Sequence, residues 1–315
     1  MNRPQRIVVL GGTGFVGSHL IARLANGGHQ VTVLSRNREM KRDLRVLTGV
    51  RVRTLDVYDR VALAGAFAGA DAVVNLVGIL NERGFGRGKG FRKAHVELTA
   101  TVMAACGDVG VTRLLQMSAL RAGEGDSHYL RTRGEAEALV KASNLRWSIM
   151  RPSVIFGPGD GLFCRFAGLL KMLPVLPLAR AGARFAPVYV GDAAEAMSRI
   201  LQREDAVGRT FELYGREVMT LAQIVRYTAR QLRLRRLVIP LPDALGRVQA
   251  LVGDFIPGKP ISSDNFKSLK LDSVGTRDGL TELGIEPTPI AAIVPVVLAG
   301  NRKQVQLDRY RGTGA

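Results

Sequence analysis

Cysteine, tryptophan and acidic side chains are scarce in this chain. Its 315 residues include two cysteines, one tryptophan, four histidines, and 27 Asp and Glu against 45 Lys and Arg. Cys106 and Cys164 cannot build a disulfide framework, and a reducing compartment such as the cytoplasm fits. No CxxC or Cys/His cluster occurs and the histidines are scattered, so no metal site is expected. With 6% aromatic residues, few rings exist on which nucleic-acid bases could stack. The longest apolar run near the end, PIAAIVPVVLAG from Pro289, is too short to span a bilayer and contains Pro295. The first strand begins at about Ile7, which leaves no room before it for a signal or transit peptide. The expected protein is soluble and cytoplasmic, or peripheral on the cytoplasmic face of the inner membrane.

The shortage of acids leaves a net charge of +18. So strong a balance implies an anionic partner, whether a membrane surface, an acidic ligand or nucleic acid, unless it only reflects an arginine-rich genome. The 46% hydrophobic content is that of an ordinary globular protein, long enough for one large domain or two modest ones.

Strand and helix signals alternate through the first half. RIVVL, HQVTVLS, VRVRTLD, DAVVNLVG, RLLQMSA and RWSIMRPSV read as strands. Between them lie helical stretches, including a long one over RKAHVELTATVMAACGDVG and another over YLRTRGEAEALVKAS. This order predicts an α/β fold: a doubly wound parallel (Rossmann) sheet with a smaller, mainly helical C-terminal lobe. Residues 1–157 and 187–215 would form the dinucleotide-binding domain, and 158–186 with 216–315 the substrate or partner lobe. In that lobe, Leu245, Val248, Leu251 and Val252 lie near helical spacing and are expected to pack in the core; an apolar substrate or a membrane are the other occupants considered. RYTARQLRLRRLVIP contributes Arg226, Arg230, Arg233, Arg235 and Arg236, either a solvated face or an attraction to anionic lipid.

GGTGFVGSHL follows the first strand and opens a helix. Gly11, Gly14 and Gly17 permit a tight turn and close approach to a pyrophosphate, whose charge then sits at the helix N-terminus. The predicted cradle is Gly11, Thr13, Gly14, Phe15, Val16 and Gly17. A free ribose 2′-hydroxyl usually meets an acid at the tip of the second strand. Here the tip reads Ser35-Arg36-Asn37-Arg38, which favours the 2′-phosphate of NADP(H) over NAD(H). Asp56 and Val57 end the third strand; Asp56 either bonds the adenine or caps the next helix. Asn75, Leu76 and Gly78 end the fourth strand beside the crevice, and Asn75 is either a lining residue or a structural amide.

Tyr129 and Arg133 stand four apart on one helix face, and Ser118 closes the strand before them. A tyrosine that moves a proton, a serine that polarises an oxygen and a cation beside them suit hydride transfer at a carbonyl. The bland alternatives are an interfacial tyrosine, a surface arginine and a strand-ending serine. Together with GGTGFVGSHL, NLVGIL, MSAL, RPSVIFGPGD and PVYVGDAAEA, these residues resemble an extended or atypical short-chain dehydrogenase/reductase over about residues 6–215. MSAL with YLRT and FELYGREVMTLAQI resembles the branch of the nucleotide-binding accessory subunit of respiratory complex I and its bacterial relatives. A related atypical member assists ubiquinone biosynthesis.

The resemblance implies that Pro152, Ser153 and Val154 run past the nicotinamide, and that Asp192 caps a helix. The superfamily pattern is Tyr-x-x-x-Lys, and Arg133 stands where the lysine belongs. Arginine stays cationic and can reach a ribose, but its fork differs in shape from an ammonium, so binding survives this departure better than catalysis. The implied function is robust NADPH binding linked to respiratory or quinone chemistry. Turnover would be weak or absent, or a quinone-like or carbonyl substrate would be reduced. RNA binding or a purely structural role is the alternative; the few aromatics and the lack of a nucleic-acid motif make nucleic acid the weaker partner.

Overall fold

The computed structural model describes residues 3–36, 44, 46–82, 88–256 and 261–299. Strands β1 (Arg6–Leu10), β2 (Gln30–Ser35), β3 (Val50–Thr54), β4 (Ala72–Asn75), β5 (Arg113–Met117) and β6 (Arg146–Pro152) alternate with helices α1 (Phe15–Asn26), α2 (Arg60–Phe67), α3 (Lys89–Arg92), α4 (Leu98–Asp108) and α5 (His128–Lys141). Then come β7 (Ile155–Phe156), α6 (Phe163–Met172), β8 (Val175–Leu178), β9 (Arg184–Phe185), β10 (Val188–Tyr189), α7 (Val190–Gln202) and β11 (Arg209–Leu213). Next are β12 (Met219–Thr220), α8 (Leu221–Gln231), β13 (Leu237–Pro240), α9 (Asp243–Phe255), α10 (Ser263–Ser268) and α11 (Gly279–Glu282), and residues 290–299 after them are helical.

Seven strands form one parallel sheet in the order β11-β6-β5-β4-β1-β2-β3. Ile7–Leu10 of β1 and all of β4 are buried, as expected of central strands covered on both faces. Edge strand β3 instead exposes Arg51 and Arg53, which discourage further pairing. One face carries α1 and α7, through Leu20, Leu24, Ala193, Met197 and Ile200. The other carries α2, α4 and α5, through Leu63, Phe67, Val102 and Val140. The expected Rossmann sheet is therefore present, and residues after 187 return to it as α7 and β11. Strand order reverses between β1 and β4, the place where folds of this kind seat a ligand at the C-terminal ends of the strands.

Three local readings change. The long helix over residues 92–110 is interrupted by a π-helical turn, Lys93–Glu97, ahead of α4. Asp192 is not a cap, because Tyr189 holds the N-cap position. Its carboxylate instead accepts the Thr288 N–H (2.7 Å) and hydroxyl (2.8 Å), tying α7 to the C-terminal segment. The side chains of Leu245, Val248, Leu251 and Val252 do not enter the core. Each is more than half exposed, and α9 is seated through Gly246, Ala250 and Gly253. The helical period was legible, but which face turns inward depends on what the neighbours can accommodate.

An ion-paired cluster pins α5 to β6. Glu137, almost fully buried, accepts two bonds from Arg151 (2.7 and 2.6 Å) and one from Lys141 (3.0 Å). Burial pushes its carboxyl up, but Arg151, with Ser118 and Lys141, outweighs that and holds it below the usual range. Removing one partner of a buried pair leaves the other charge uncompensated, at about 3–5 kcal/mol. Glu137→Ala is expected to cost that much in urea unfolding. A loss under about 1 kcal/mol would show the cluster to be effectively solvated.

Candidate nucleotide site

The glycine turn places backbone against backbone. Gly11 adopts φ +75°, and a Cβ there would lie 3.1 Å from the Leu76 carbonyl carbon and the Val77 nitrogen. A Cβ on Gly17 would fall 2.4 Å from the Gly11 carbonyl oxygen, so only glycine lets α1 start this close to the turn. Gly14 is the N-cap and offers no side chain, and the Phe15, Val16 and Gly17 amides have no protein acceptor among the described residues. These are the donors that a pyrophosphate would take.

At the tip of β2, Ser35 is buried and Arg36 exposed; Arg38 lies outside the described residues. Tyr58 follows Val57, a core residue, and has both cations and the carboxylates of Glu97 and Asp56 near it. Lys93 Nζ sits 4.7 Å above its ring, and Arg36 is near enough to oppose the rise that burial imposes on its hydroxyl pKa. Neither Tyr58 nor Lys93 was legible as a site residue, since nothing in their local sequence marks them. Asp56 does not cap α2; Asp59 does, accepting from Ala62 N at 3.0 Å. The Asp56 carboxylate accepts the Tyr58 N–H (3.0 Å) and remains exposed at the crevice end. Asn75 is a satisfied structural amide: it donates to Gln116 (3.0 Å), and its oxygen accepts the Val77 N–H (3.2 Å). Leu76 packs against the core.

Near the exits of β4 and β5, Tyr129, Arg133 and Ser118 are brought into one neighbourhood. The Arg133 guanidinium lies 5.6 Å from the Tyr129 ring centre, yet its Nη1 donates to the Met117 carbonyl (2.9 Å) and more weakly to that of Val77 (3.4 Å). A Cβ on Gly78 would collide with Arg133 Nη2 at 1.9 Å, so glycine there makes room for the arginine. Among the described residues Arg133 Nε is a buried polar atom with no partner, and the buried Ser118 hydroxyl, close enough to Glu137 to help hold its carboxyl pKa down, makes no hydrogen bond of full geometry. Buried orphans of this kind suit a missing ligand. Pro152 ends β6, and Val154 packs against the C-terminal core. The Ser153 hydroxyl donates to the Ser273 carbonyl (2.7 Å), so its side chain serves tertiary structure.

Sequence reading missed His95, buried in the π-helical turn. Its ring lies 5.6 Å from Tyr129 and 5.8 Å from Phe91. Thr132 donates its hydroxyl proton to the His128 carbonyl (2.7 Å) and therefore accepts from His95 Nδ1 (2.8 Å), leaving Nε2 to accept the Ile79 N–H (3.3 Å). Burial and the nearby Arg133 charge push the imidazole pKa down to about 2. A π-bulge at this place is the local irregularity often found at functional sites. Asp264 of α10 was also missed; it accepts the N–H groups of His128 (2.6 Å) and Tyr129 (3.0 Å) at the start of α5.

The titration of His95 has a definite sign. Unfolded, it gains a proton near pH 6.5; folded, only near pH 2. The unfolded state thus binds more protons below neutrality, and the stability present above pH 6.5 declines as pH falls. Between pH 7 and 5 this one group should remove up to about 2 kcal/mol. His95→Asn should flatten that slope in urea titrations at pH 7, 6 and 5, and an unchanged slope would show that His95 titrates normally.

Residues 11–161 match the family model described as NAD(P)H-binding. The chain is 30% identical over 283 residues to the mitochondrial "NADH dehydrogenase [ubiquinone] 1 alpha subcomplex subunit 9" of Arabidopsis thaliana, covering 86% of this chain and 70% of that one. It is also 30% identical over 243 residues to the ceramide reductase of Caulobacter vibrioides, covering 75% and 74%. A UDP-glucose 4-epimerase structure from Thermotoga maritima superposes with a TM-score of 0.75 at 15% identity, covering 95% of this chain and 99% of that one, a likeness of fold. The chain belongs to the extended or atypical short-chain dehydrogenase/reductase family, in the branch of the nucleotide-binding accessory subunit of respiratory complex I.

Proposed function

We propose that the chain holds NADP(H), in preference to NAD(H), as a tightly bound ligand with weak or no turnover, in an accessory role beside respiratory or quinone chemistry. The observation that carries this reading is the placement of Arg133. Its guanidinium is spent on the strand-end carbonyls of Met117 and Val77, and no hydrogen bond joins it, or Ser118, to the Tyr129 hydroxyl among the described residues. The free amides of Phe15, Val16 and Gly17 would receive the pyrophosphate. Arg36, with Lys93 across Tyr58, would receive the 2′-phosphate, where a planar fork and a second cation outmatch a hydroxyl. Arg133 Nε and the Ser118 hydroxyl would meet the nicotinamide half, with Pro152, Ser153 and Val154 along its flank.

The nicotinamide supplies a hydride when bound. The chain would then have to deliver a proton from Tyr129, whose ring is held between His95, Phe91 and Arg133. A second reading, reduction of a hydrophobic carbonyl or quinone-like substrate, is favoured by the buried Ser118 hydroxyl next to Met117, which Arg133 of the tyrosine helix binds, and by the kinship with a ceramide reductase. We infer a dinucleotide-binding unit of residues 1–157 and 187–215, with the substrate or partner surface in 158–186 and 216–315. We further infer a peripheral protein of the cytoplasmic face of the inner membrane, on the strength of its +18 charge; no described helix is long and apolar enough to cross a membrane.

Arg36→Ala is expected to weaken NADPH binding about tenfold or more and leave NADH binding nearly unchanged, read by calorimetry; charge-assisted bonds of about 1.5–3 kcal/mol set the scale. Equal affinities in the unmodified protein would overturn the cofactor preference. Tyr129→Phe should leave NADPH affinity nearly unchanged. If the protein is a holder, NADPH oxidation with quinones or ketones is negligible before and after the change. Brisk oxidation lowered roughly 10²–10⁴-fold by Tyr129→Phe would instead establish the reductase.

A further inference from the structure

The C-terminal region turns bulky apolar side chains outward over two joined elements. Strands β8 and β13 pair in parallel, with Leu237 opposite Val175 and Ile239 opposite Pro177. Alternate residues of a strand share a face. Leu176, Leu178 and Val238 point into the core, while Val175, Pro177, Leu237 and Ile239 are exposed. An outward face of a two-stranded ribbon is ordinarily polar; this one is aliphatic.

Helix α9 is joined to the end of this ribbon. Gln249 accepts the Ala179 N–H (3.0 Å) and donates to the Pro177 carbonyl (2.8 Å), which fastens the helix to the end of β8. The helix cannot roll to hide its large residues. A Cβ on Gly253 would lie 2.0 Å from the Ile261 carbonyl oxygen, and one on Gly246 2.9 Å from the Phe266 ring and 3.1 Å from Ala179 Cβ. Only its small-residue side fits inward, so Leu245, Val248, Leu251, Val252 and Phe255 stay exposed, Phe255 at 72%. Apolar exposure on a ribbon and on a three-turn helix fastened to it marks an interaction surface.

Charge identifies the partner. Residues 161–179 and 221–242, which build the ribbon and its supports, contain no Asp or Glu, and they carry Arg165, Lys171 and the five arginines from Arg226 to Arg236. Lys171, Arg230, Arg233 and Arg235 are exposed. In α9, Asp243 is paired with Arg180 (3.1 Å) and Asp254 accepts the Ser263 N–H. An apolar face bordered by exposed cations is the pattern of an element lying in the headgroup region of an anionic bilayer.

We propose that the outward face of the β8/β13 ribbon and the apolar side of α9 dock onto an anionic lipid bilayer. This deepens, and rests on, the reading of a peripheral membrane protein. The docked surface connects to the candidate site: α9 and α10 share the Ala179–Ala250–Phe266 cluster, and Asp264 of α10 holds the N-terminus of the Tyr129 helix.

The test is co-sedimentation of the full chain with phosphatidylcholine vesicles with and without 30% (roughly) phosphatidylglycerol. The unmodified protein should bind the anionic vesicles and not the neutral ones. The double variant Leu251→Glu/Phe255→Glu should bind at least tenfold more weakly, with NADPH affinity unchanged as proof of folding. Arg233→Glu/Arg235→Glu should weaken binding mainly at low salt, since exposed charges are screened within about 8–10 Å. Failure of the unmodified protein to bind anionic vesicles overturns both the docking surface and the peripheral reading. Binding that survives Leu251→Glu/Phe255→Glu overturns the surface alone. If that variant instead abolishes a dimer seen by light scattering, the face belongs to a second copy of the chain.

Discussion

The close approach of the Gly11 backbone to Leu76 and Val77 is the contact on which the rest of the nucleotide end depends. It exists because β1 and β4 pair as central strands where the strand order reverses, so the turn after β1 meets the exit of β4 directly. With the turn seated there, Gly17 brings α1 down with its first amides open. The chain leaving β4 then passes Gly78, and the space above that glycine is filled by Arg133 reaching from α5 to Met117 at the end of β5. One glycine turn, one missing Cβ and one guanidinium thus set the mutual positions of β1, β4, β5 and the tyrosine helix.

That helix is held from three further directions. His95 bonds Thr132 from the π-helical turn, the buried Glu137 joins α5 to β6 through Arg151, and Asp264 takes up two amides at its start. The last bond matters most for partner chemistry, because it comes from the C-terminal region whose outer face is apolar and cationic. The element that presents Tyr129 is therefore capped by the same region that carries the proposed lipid surface. The positive charge divides in a similar way: some of it is internal, as in Arg133 and Arg151, and some borders exposed apolar side chains.

The parts of the fold and site legible in the amino-acid order are those controlled by local backbone geometry and by periodicity. A glycine turn between a β-branched run and an amphipathic run admits few conformations, so the Rossmann unit, its glycine turn and the i, i+4 placement of Tyr129 and Arg133 followed directly. The absence of an acid after β2 was equally plain. The sequence could also place Asn75 at a strand exit, but whether its amide would meet a ligand or Gln116 depended on a strand forty residues away.

What the tertiary structure alone decided are the choices between chemically equivalent partners. Arg133 could in principle have met Tyr129, a ribose or solvent; its bond to Met117 arises because β5 ends beneath α5. His95, Tyr58 and Asp264 acquire their neighbours only through packing, so no local signal announces them. Helix α9 gives the sharpest contrast. Its apolar spacing determined that a helix would form, but the contacts of Gly246 and Gly253 with Phe266, Ala179 and Ile261 decided that its small side would be buried and its large side left outside. A helix buries the face that its neighbours can closely approach, and in α9 that is the face without side chains.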